Sequence, residues 1–296
     1  MQQLDIFADS RDVALRNDVV EQLQRRDAAA ARVALTRLAR EYATDSALTA
    51  MTVLVRELES ASTRPMTDHS ELATICHRFE NEMAPAARQV LPEQSAQSWM
   101  APCWRELAQR ATALPFRGSD PDTHAAPLWL RAGEWSAASD AIDTIDSWWR
   151  IPSTLAWMCE ARYRAAGVDS AWPLLAELAW LAPARFAALL VALEDPVLDR
   201  LRRRFDAEFL GTGEAEDYAW FPAFLLVIKP ALAGMLGEAR VRRDLPASRA
   251  TLLLGEILRR EHEGDQHELI ALRQQLSRLH AGLFDVYMTT RKVQHQ

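Results

Sequence analysis

Leu130-Arg131-Ala132-Gly133-Glu134-Trp135-Ser136-Ala137-Ala138 and Tyr163-Arg164-Ala165-Ala166-Gly167-Val168-Asp169-Ser170-Ala171-Trp172 follow one pattern. In each, a run of helix formers stops at a glycine, and an acidic or aromatic residue opens the next run. Gly133 and Gly167 are 34 positions apart. A helix, a tight turn and a second helix fill such an interval, so the stretch from Trp129 to Pro183 reads as stacked helix pairs.

The rest of the chain agrees with that class. Ala, Leu, Arg and Glu dominate its 296 residues, glycine is scarce at 10, and strand-like Val-Ile-Thr alternation is nearly absent. The fold expected is all-α. Hydrophobic residues make up 49%, enough for a core, and the length suits two lobes or one extended array. The net charge of −7 argues against general affinity for nucleic acid or for an anionic membrane surface. Lys229 and Lys292 are the only lysines, so arginine carries nearly all positive charge.

Arg11 to Arg26 reads as a helix with Val13, Val20 and Leu23 inward. Asp27 can cap a second, Ala28 to Tyr42, with Ala31, Leu35 and Leu38 inward. A third spans Ala47 to Ser60. Helices are expected at Ser70 to Glu82, at Ala84 to Val90 and from Ser98 to Leu114, the last with Pro102 near its first turn. The turn-rich Pro115 to Asp122 marks a boundary. Residues 1–10 are then a flexible peptide, 11–115 a first helical lobe, 116–126 a linker or long loop, and 127–296 a second lobe of helical repeats. In that second lobe helices are expected near 127–132, 135–149, 153–166 and 169–181, then at Pro183 to Leu193 and Pro196 to Phe209. Trp220 to Gly237 approaches the length of a membrane span. Two prolines and Lys229 favour a buried, broken helix there. The chain closes with Ala247 to Arg260 and Gln266 to Met288. The second of these carries a stripe at Leu269, Leu272, Leu276, Leu279 and Leu283, which either closes the array or pairs with a second copy.

The 34-residue interval resembles the tetratricopeptide repeat, clearly over 129–183 and partly over 12–45, where Arg26-Asp27-Ala28-Ala29-Ala30-Ala31 aligns with Gly133 to Ala138 and arginine stands in for the turn glycine. The resemblance implies an irregular right-handed α-solenoid of antiparallel helix pairs and a role in binding proteins. Seven of the ten tryptophans lie in this region. Most are expected to fill the space between helix turns. Trp129, Trp148 and Trp149 are the candidates for anchors in a binding groove, since the adjacent pair cannot both face inward on one helix.

No phosphate loop, dinucleotide fingerprint, nucleophile elbow or zinc-protease histidine pair is present. No cofactor is expected. His262, Glu263 and His267 hold metal-ligand atoms, but Gly264 interrupts the face they would share; a metal-dependent enzyme in a helical fold is the reading they would support. Asp140, Asp143 and Asp146 form an acidic ridge, expected to be solvated. Arg200, Arg203 and Arg204 share a helix side and are the candidates for contact with phosphate or an acidic partner, against a solvated face balanced by Asp199, Asp206 and Glu208. Cys76, Cys103 and Cys159 are odd in number and widely spaced, so free thiols in a reducing cytoplasm are expected. The first residues lack a basic segment followed by an apolar run, so no signal peptide is expected.

Gln3-Leu4-Asp5-Ile6-Phe7 resembles the bacterial sliding-clamp-binding pentapeptide, usually Gln-Leu-Ser/Asp-Leu-Phe, with Ile6 as the one departure. The resemblance implies that Ile6 and Phe7 fill an apolar pocket while Gln3 bonds its rim, with Leu4 at the edge and Asp5 in solvent. It further implies an accessory role in DNA replication, repair or mobile-element biology. The other reading of these residues is a hydrophobic start to the first helix. The function expected overall is a non-enzymatic, cytoplasmic protein-binding adaptor or scaffold whose partners are proteins.

Overall fold

Three aspartates start helices in the way their short carboxylates allow. Asp27 accepts from the Ala30 amide at 2.9 Å, Asp68 from Ser70 at 3.0 Å, and Asp195 from Val197 at 2.7 Å and Leu198 at 3.1 Å. Each bond satisfies a donor that the helix itself cannot, a contribution of about 1 kcal/mol. The computed structural model describes residues 11–60, 62–240, 244–263 and 268–294. These residues are almost wholly helical, with no strand among them, and fall into two compact units divided between Glu134 and Trp135.

The first unit contains α1 (Arg11–Gln24), α2 (Ala28–Glu41), α3 (Leu48–Glu59), α4 (His69–Arg78), α5 (Ala84–Val90), α6 (Glu93–Ala111) and α7 (Ala125–Arg131). A π-helical turn, Phe79–Met83, joins α4 to α5 without a break in the backbone path. Packing follows chain order: α1 on α2, α2 on α3, α3 on α5, α5 on α6 and α6 on α7. Leu23, Leu38, Leu54 and Leu72 are fully buried at its centre, each contributing about 1.5–3 kcal/mol by leaving water. The segment 116–126, expected as a linker, lies inside this unit, where His69 Nε2 donates to the Pro115 carbonyl at 2.9 Å and Phe116 meets His124 edge to face. Pro102 was expected in a first turn, yet α6 begins at Glu93 and carries it in the interior. The buried Trp99 and Trp104 on either side hold the helix across the missing N–H.

The second unit contains α8 (Trp135–Asp143), α9 (Pro152–Leu181), α10 (Pro183–Ala192), α11 (Pro196–Glu208), α12 (Phe221–Ile228), α13 (Pro246–Glu263), α14 (Leu269–Leu279) and α15 (Ala281–Gln294), with 3₁₀ turns at Trp148–Arg150, Ala215–Trp220 and Pro230–Glu238. The single helix expected over 135–149 ends instead at Asp143. Ser147 turns left-handed, with φ at 54°, and starts a 3₁₀ turn at Trp148. Asp140 and Asp143 are exposed, as is Asp146 beyond the helix end. The apolar stretch after Trp220 breaks at Lys229-Pro230 as expected; Phe221 to Val227 is buried, while beyond the break only Leu232 and Leu236 are buried and Ala231, Gly234, Met235 and Gly237 are exposed. Among the described residues no helix is long and apolar enough to cross a membrane.

The expected closing helix 266–288 is two helices. His280 takes an extended conformation between α14 and α15, and α15 folds back onto α12 as well as α14. Of the leucine stripe, Leu269, Leu276 and Leu283 are buried in this unit's core, and Leu272 and Leu279 pack against it. The stripe is therefore occupied within one chain.

The two glycines that anchor the sequence pattern both take left-handed backbone, φ 75° at Gly133 and 79° at Gly167. Gly167 splits α9 into two helical segments across a kink, matching the turn expected between 153–166 and 169–181. Arg26, the residue aligned with Gly133, is also left-handed, at φ 57°. Its side chain offsets the strain: Nη1 donates to the Trp99 carbonyl at 3.0 Å and the guanidinium lies 5.3 Å from the Trp99 ring centre. At Gly167 ψ is −171°, a region closed to other residues, so Gly167→Ala is expected to cost about 1–3 kcal/mol in chemical denaturation. Gly118→Ala, at a site with open space and no positive φ, should shift stability by less than about 0.5 kcal/mol. Equal midpoints for the two variants would disprove the backbone requirement at Gly167.

Candidate functional site

Ser147 turns the chain sharply enough that two consecutive tryptophans leave the helix and sit on a 3₁₀ turn. Trp148 and Trp149 meet edge to face with ring centres 6.0 Å apart, and both are half-buried. The Arg240 guanidinium covers both rings, 5.6 Å from the Trp148 centre and 4.8 Å from that of Trp149. Glu177 fixes that arginine. Its carboxylate accepts the Arg240 amide at 2.7 Å and Nη1 at 3.3 Å, and the residue is only 5% exposed. Thr154 Oγ1 donates to the Trp148 carbonyl at 2.6 Å and holds the turn from beneath.

The result is an aromatic and cationic patch on a rigid base. Both indoles remain partly accessible, while the guanidinium is held by π contact and by a buried carboxylate. Such a patch presents large, pre-ordered contact area at little conformational cost, and it carries no nucleophile or proton-transfer pair. Glu177 escaped the sequence reading. The signal was available: it is the single carboxylate in the apolar run Leu174-Leu175-Ala176-Glu177-Leu178-Ala179-Trp180. Arg240 is followed in sequence by Arg242 and Arg243, which lie outside the described residues, and nothing in that run marks it as the partner of Glu177.

The other sequence candidates are placed elsewhere. Trp129 is half-buried against the core of the first unit. Trp157, Trp172 and Trp180 are buried. On α11, Arg203 pairs with Asp199 at 2.5 Å and Arg204 with Glu208 at 2.8 Å, so acids of the same helix engage two of the three proposed contacts, while Arg200 is exposed. Glu263 is engaged by Arg259 at 2.6 Å, His262 is exposed at the end of α13, and His267 lies outside the described residues. Among the described residues no group of three His, Cys, Asp or Glu side chains is placed to hold a metal. Gln3 to Phe7 also lie outside the described residues.

Burial explains the remaining titratable groups. It pushes the thiols of Cys76, to about 11, and of Cys103 and Cys159 upward, which keeps them protonated and unreactive at neutral pH. Glu57 is raised by burial despite Arg78 at 2.8 Å. It faces Arg78, Glu106 and Arg110 around a void of about 30 Å³, room for a water and no substrate. On α13, Glu261 accepts from the Tyr287 hydroxyl, from Arg273 at 2.7 Å and from Arg291 at 3.0 Å. That network joins three helices, and burial together with Glu261 pushes Tyr287 up to about 12.

Comparison of the chain with family models, with curated proteins and with solved structures gives no match. The patch is thus interpreted on its own chemistry. Arg240→Ala is expected to cost about 1–3 kcal/mol alone, because Glu177 keeps only one donor in a buried place. In a Glu177→Gln background the same change should cost less, with a coupling of at least about 0.5 kcal/mol in a double-mutant cycle. Additive costs would show that the pair does not support the tryptophans.

Proposed function

We propose that the chain is a non-enzymatic protein-binding adaptor, and that Trp148, Trp149 and Arg240 are its contact surface. The single observation that carries this reading is the half-exposed indole pair held under a guanidinium by a buried carboxylate. Tryptophan and arginine are the residues on which binding energy most often concentrates at protein interfaces. Side chains already fixed before binding lose little entropy when a partner arrives. The finer architecture fits this role as a degenerate, tetratricopeptide-like, right-handed solenoid. Left-handed turns at Arg26, Gly133 and Gly167 support a common helix–turn–helix unit, and chain-order packing in the first unit is what stacked pairs produce. The partners on this reading are proteins in the cytoplasm, where buried thiols stay reduced.

A test compares full-length chain with Trp149→Ala and Arg240→Ala as bait in the native host. Partners captured by the wild type should fall at least about tenfold with either variant, equivalent to about 1.4 kcal/mol or more. Identical capture by all three baits, each folded by circular dichroism, would sink the assignment of this surface.

A second reading rests on Gln3-Leu4-Asp5-Ile6-Phe7, which would recruit the adaptor to the bacterial sliding clamp as an accessory of DNA replication, repair or a mobile element. A peptide of residues 1–10 should then bind purified clamp with a Kd tighter than ~100 µM, and Phe7→Ala should weaken it at least about tenfold. Absence of binding at that concentration removes the second reading and leaves the first intact.

A further inference from the structure

Each unit contains a helix that starts on a histidine. The Ala126 amide donates to His124 Nδ1 at 3.2 Å at the start of α7, and the Leu283 amide donates to His280 Nδ1 at 3.0 Å at the start of α15. An imidazole can accept at Nδ1 only in its neutral form with the proton on Nε2. At α4 and α11 hydrogen bonds hold the capping carboxyls of Asp68 and Asp195 below their ordinary value, so those caps remain acceptors to far lower pH. The choice of histidine at these two positions therefore makes the caps conditional.

The His124 residue is buried and His280 is half-buried. His124 is 5% exposed and meets Phe116 edge to face at 5.9 Å. The titratable group acting on it is His69 of α4, which is itself buried. His280 lies between Phe209, stacked at 4.8 Å, and Trp220, at 4.6 Å. Asp217, on the 3₁₀ turn before α12, is the charge acting on it. Burial holds His124 at about 4 and His280 below the ordinary 6.5, in the second case against the favourable pull of Asp217.

We propose that His124 and His280 are acid-labile helix caps: each neutral imidazole receives an amide of a helix's first turn, and protonation releases that turn. A proton on Nδ1 replaces the acceptor with a donor aimed at another N–H. It also sets a positive charge at the positive end of the helix dipole. At α15 the released turn carries Leu283, buried in this unit's core, and Gly282, where an added Cβ would stand 3.3 Å from Leu210. The same turn walls a groove of about 660 Å³ that includes Leu210, Ile228, Asp285 and Val286. Acid thus changes that groove and the aromatic contacts around His280 together. None of this depends on the tryptophan patch.

The sign follows from proton uptake. Because the free imidazole binds its proton at 6.5 and the capped one only lower, the uncapped form gains as pH falls below 6.5, by about tenfold per pH unit down to the capped value. The test is amide hydrogen exchange and imidazole ¹⁵N shifts on the full-length chain from pH 7.5 to 4.5. At pH 7.5 both Nδ1 atoms should be unprotonated. The protection of Ala126 and Leu283 should fall below pH 6.5 in the wild type. His280→Asn, which caps without titrating, should flatten the curve at Leu283 and leave Ala126 unchanged; His124→Asn should do the converse. A proton on either Nδ1 at pH 7.5, protection unchanged to pH 4.5, or asparagine variants following the wild-type curve would overturn the proposal. The ¹⁵N readout uses the wild type alone and decides the matter even if a variant fails to fold.

Discussion

A buried indole donates its one hydrogen bond to a main-chain carbonyl of a different element in each unit, and the packing around both depends on it. Trp99 Nε1 on α6 donates to the Leu23 carbonyl at the end of α1, at 2.8 Å. Trp172 Nε1 on α9 donates to the Leu232 carbonyl in the 3₁₀ turn after Lys229, at 3.1 Å. The Leu23 carbonyl also accepts the Arg26 amide at 3.1 Å, so the indole is a second donor to it, and a buried indole N–H without an acceptor would cost about 1–3 kcal/mol. Each bond satisfies the buried indole and ties segments 76 and 60 residues apart in sequence. Trp180 Nε1, by contrast, is buried with no acceptor among the described residues, a local cost that the surrounding core absorbs.

Left-handed turns are the second constraint, and they are met by different residues for different reasons. Gly133 and Gly167 take them freely, while Arg26, Ser147 and Glu194 do so at positive φ despite a Cβ. Arg26 has the contacts with Trp99 to hold it. Ser147 starts the turn that carries Trp148 and Trp149 outward, so a strained residue and the candidate binding surface are adjacent in sequence. Strain of that kind persists where neighbours fix it, and here the Glu177–Arg240 pair and Thr154 supply the fixing contacts.

The two units use the same helix grammar to different ends. In the first, helices pack in chain order, and the polar cluster around Glu57 leaves space for no more than a water. In the second, α15 returns to α12 and closes the core with Leu283 and Tyr287, which turns a nearest-neighbour stack into a locally closed bundle. That closure runs through a histidine cap and a carboxylate network centred on Glu261. The last described helix thus starts on a histidine, whereas α2, α4 and α11 start on aspartates.

Composition and spacing alone determined the helical class, because Ala, Leu, Arg and Glu favour helix wherever they sit and glycine marks its ends. They also placed most helices, the aspartate cap at α2, the turns at Gly133 and Gly167, and the break at Lys229-Pro230, all of which are local in cause. Three features were not legible. Helix 135–149 stopped early because a serine adopted a left-handed turn that its identity does not announce. The leucine stripe's occupant was decided by the fold-back at His280, which depends on stacking with Phe209 and Trp220 far away in sequence. The candidate site needed Glu177 and Arg240, 63 positions apart, to meet beside two indoles. Local preferences are properties of neighbouring residues, but a buried carboxylate finding its one guanidinium is a property of packing, and only the tertiary structure decides it.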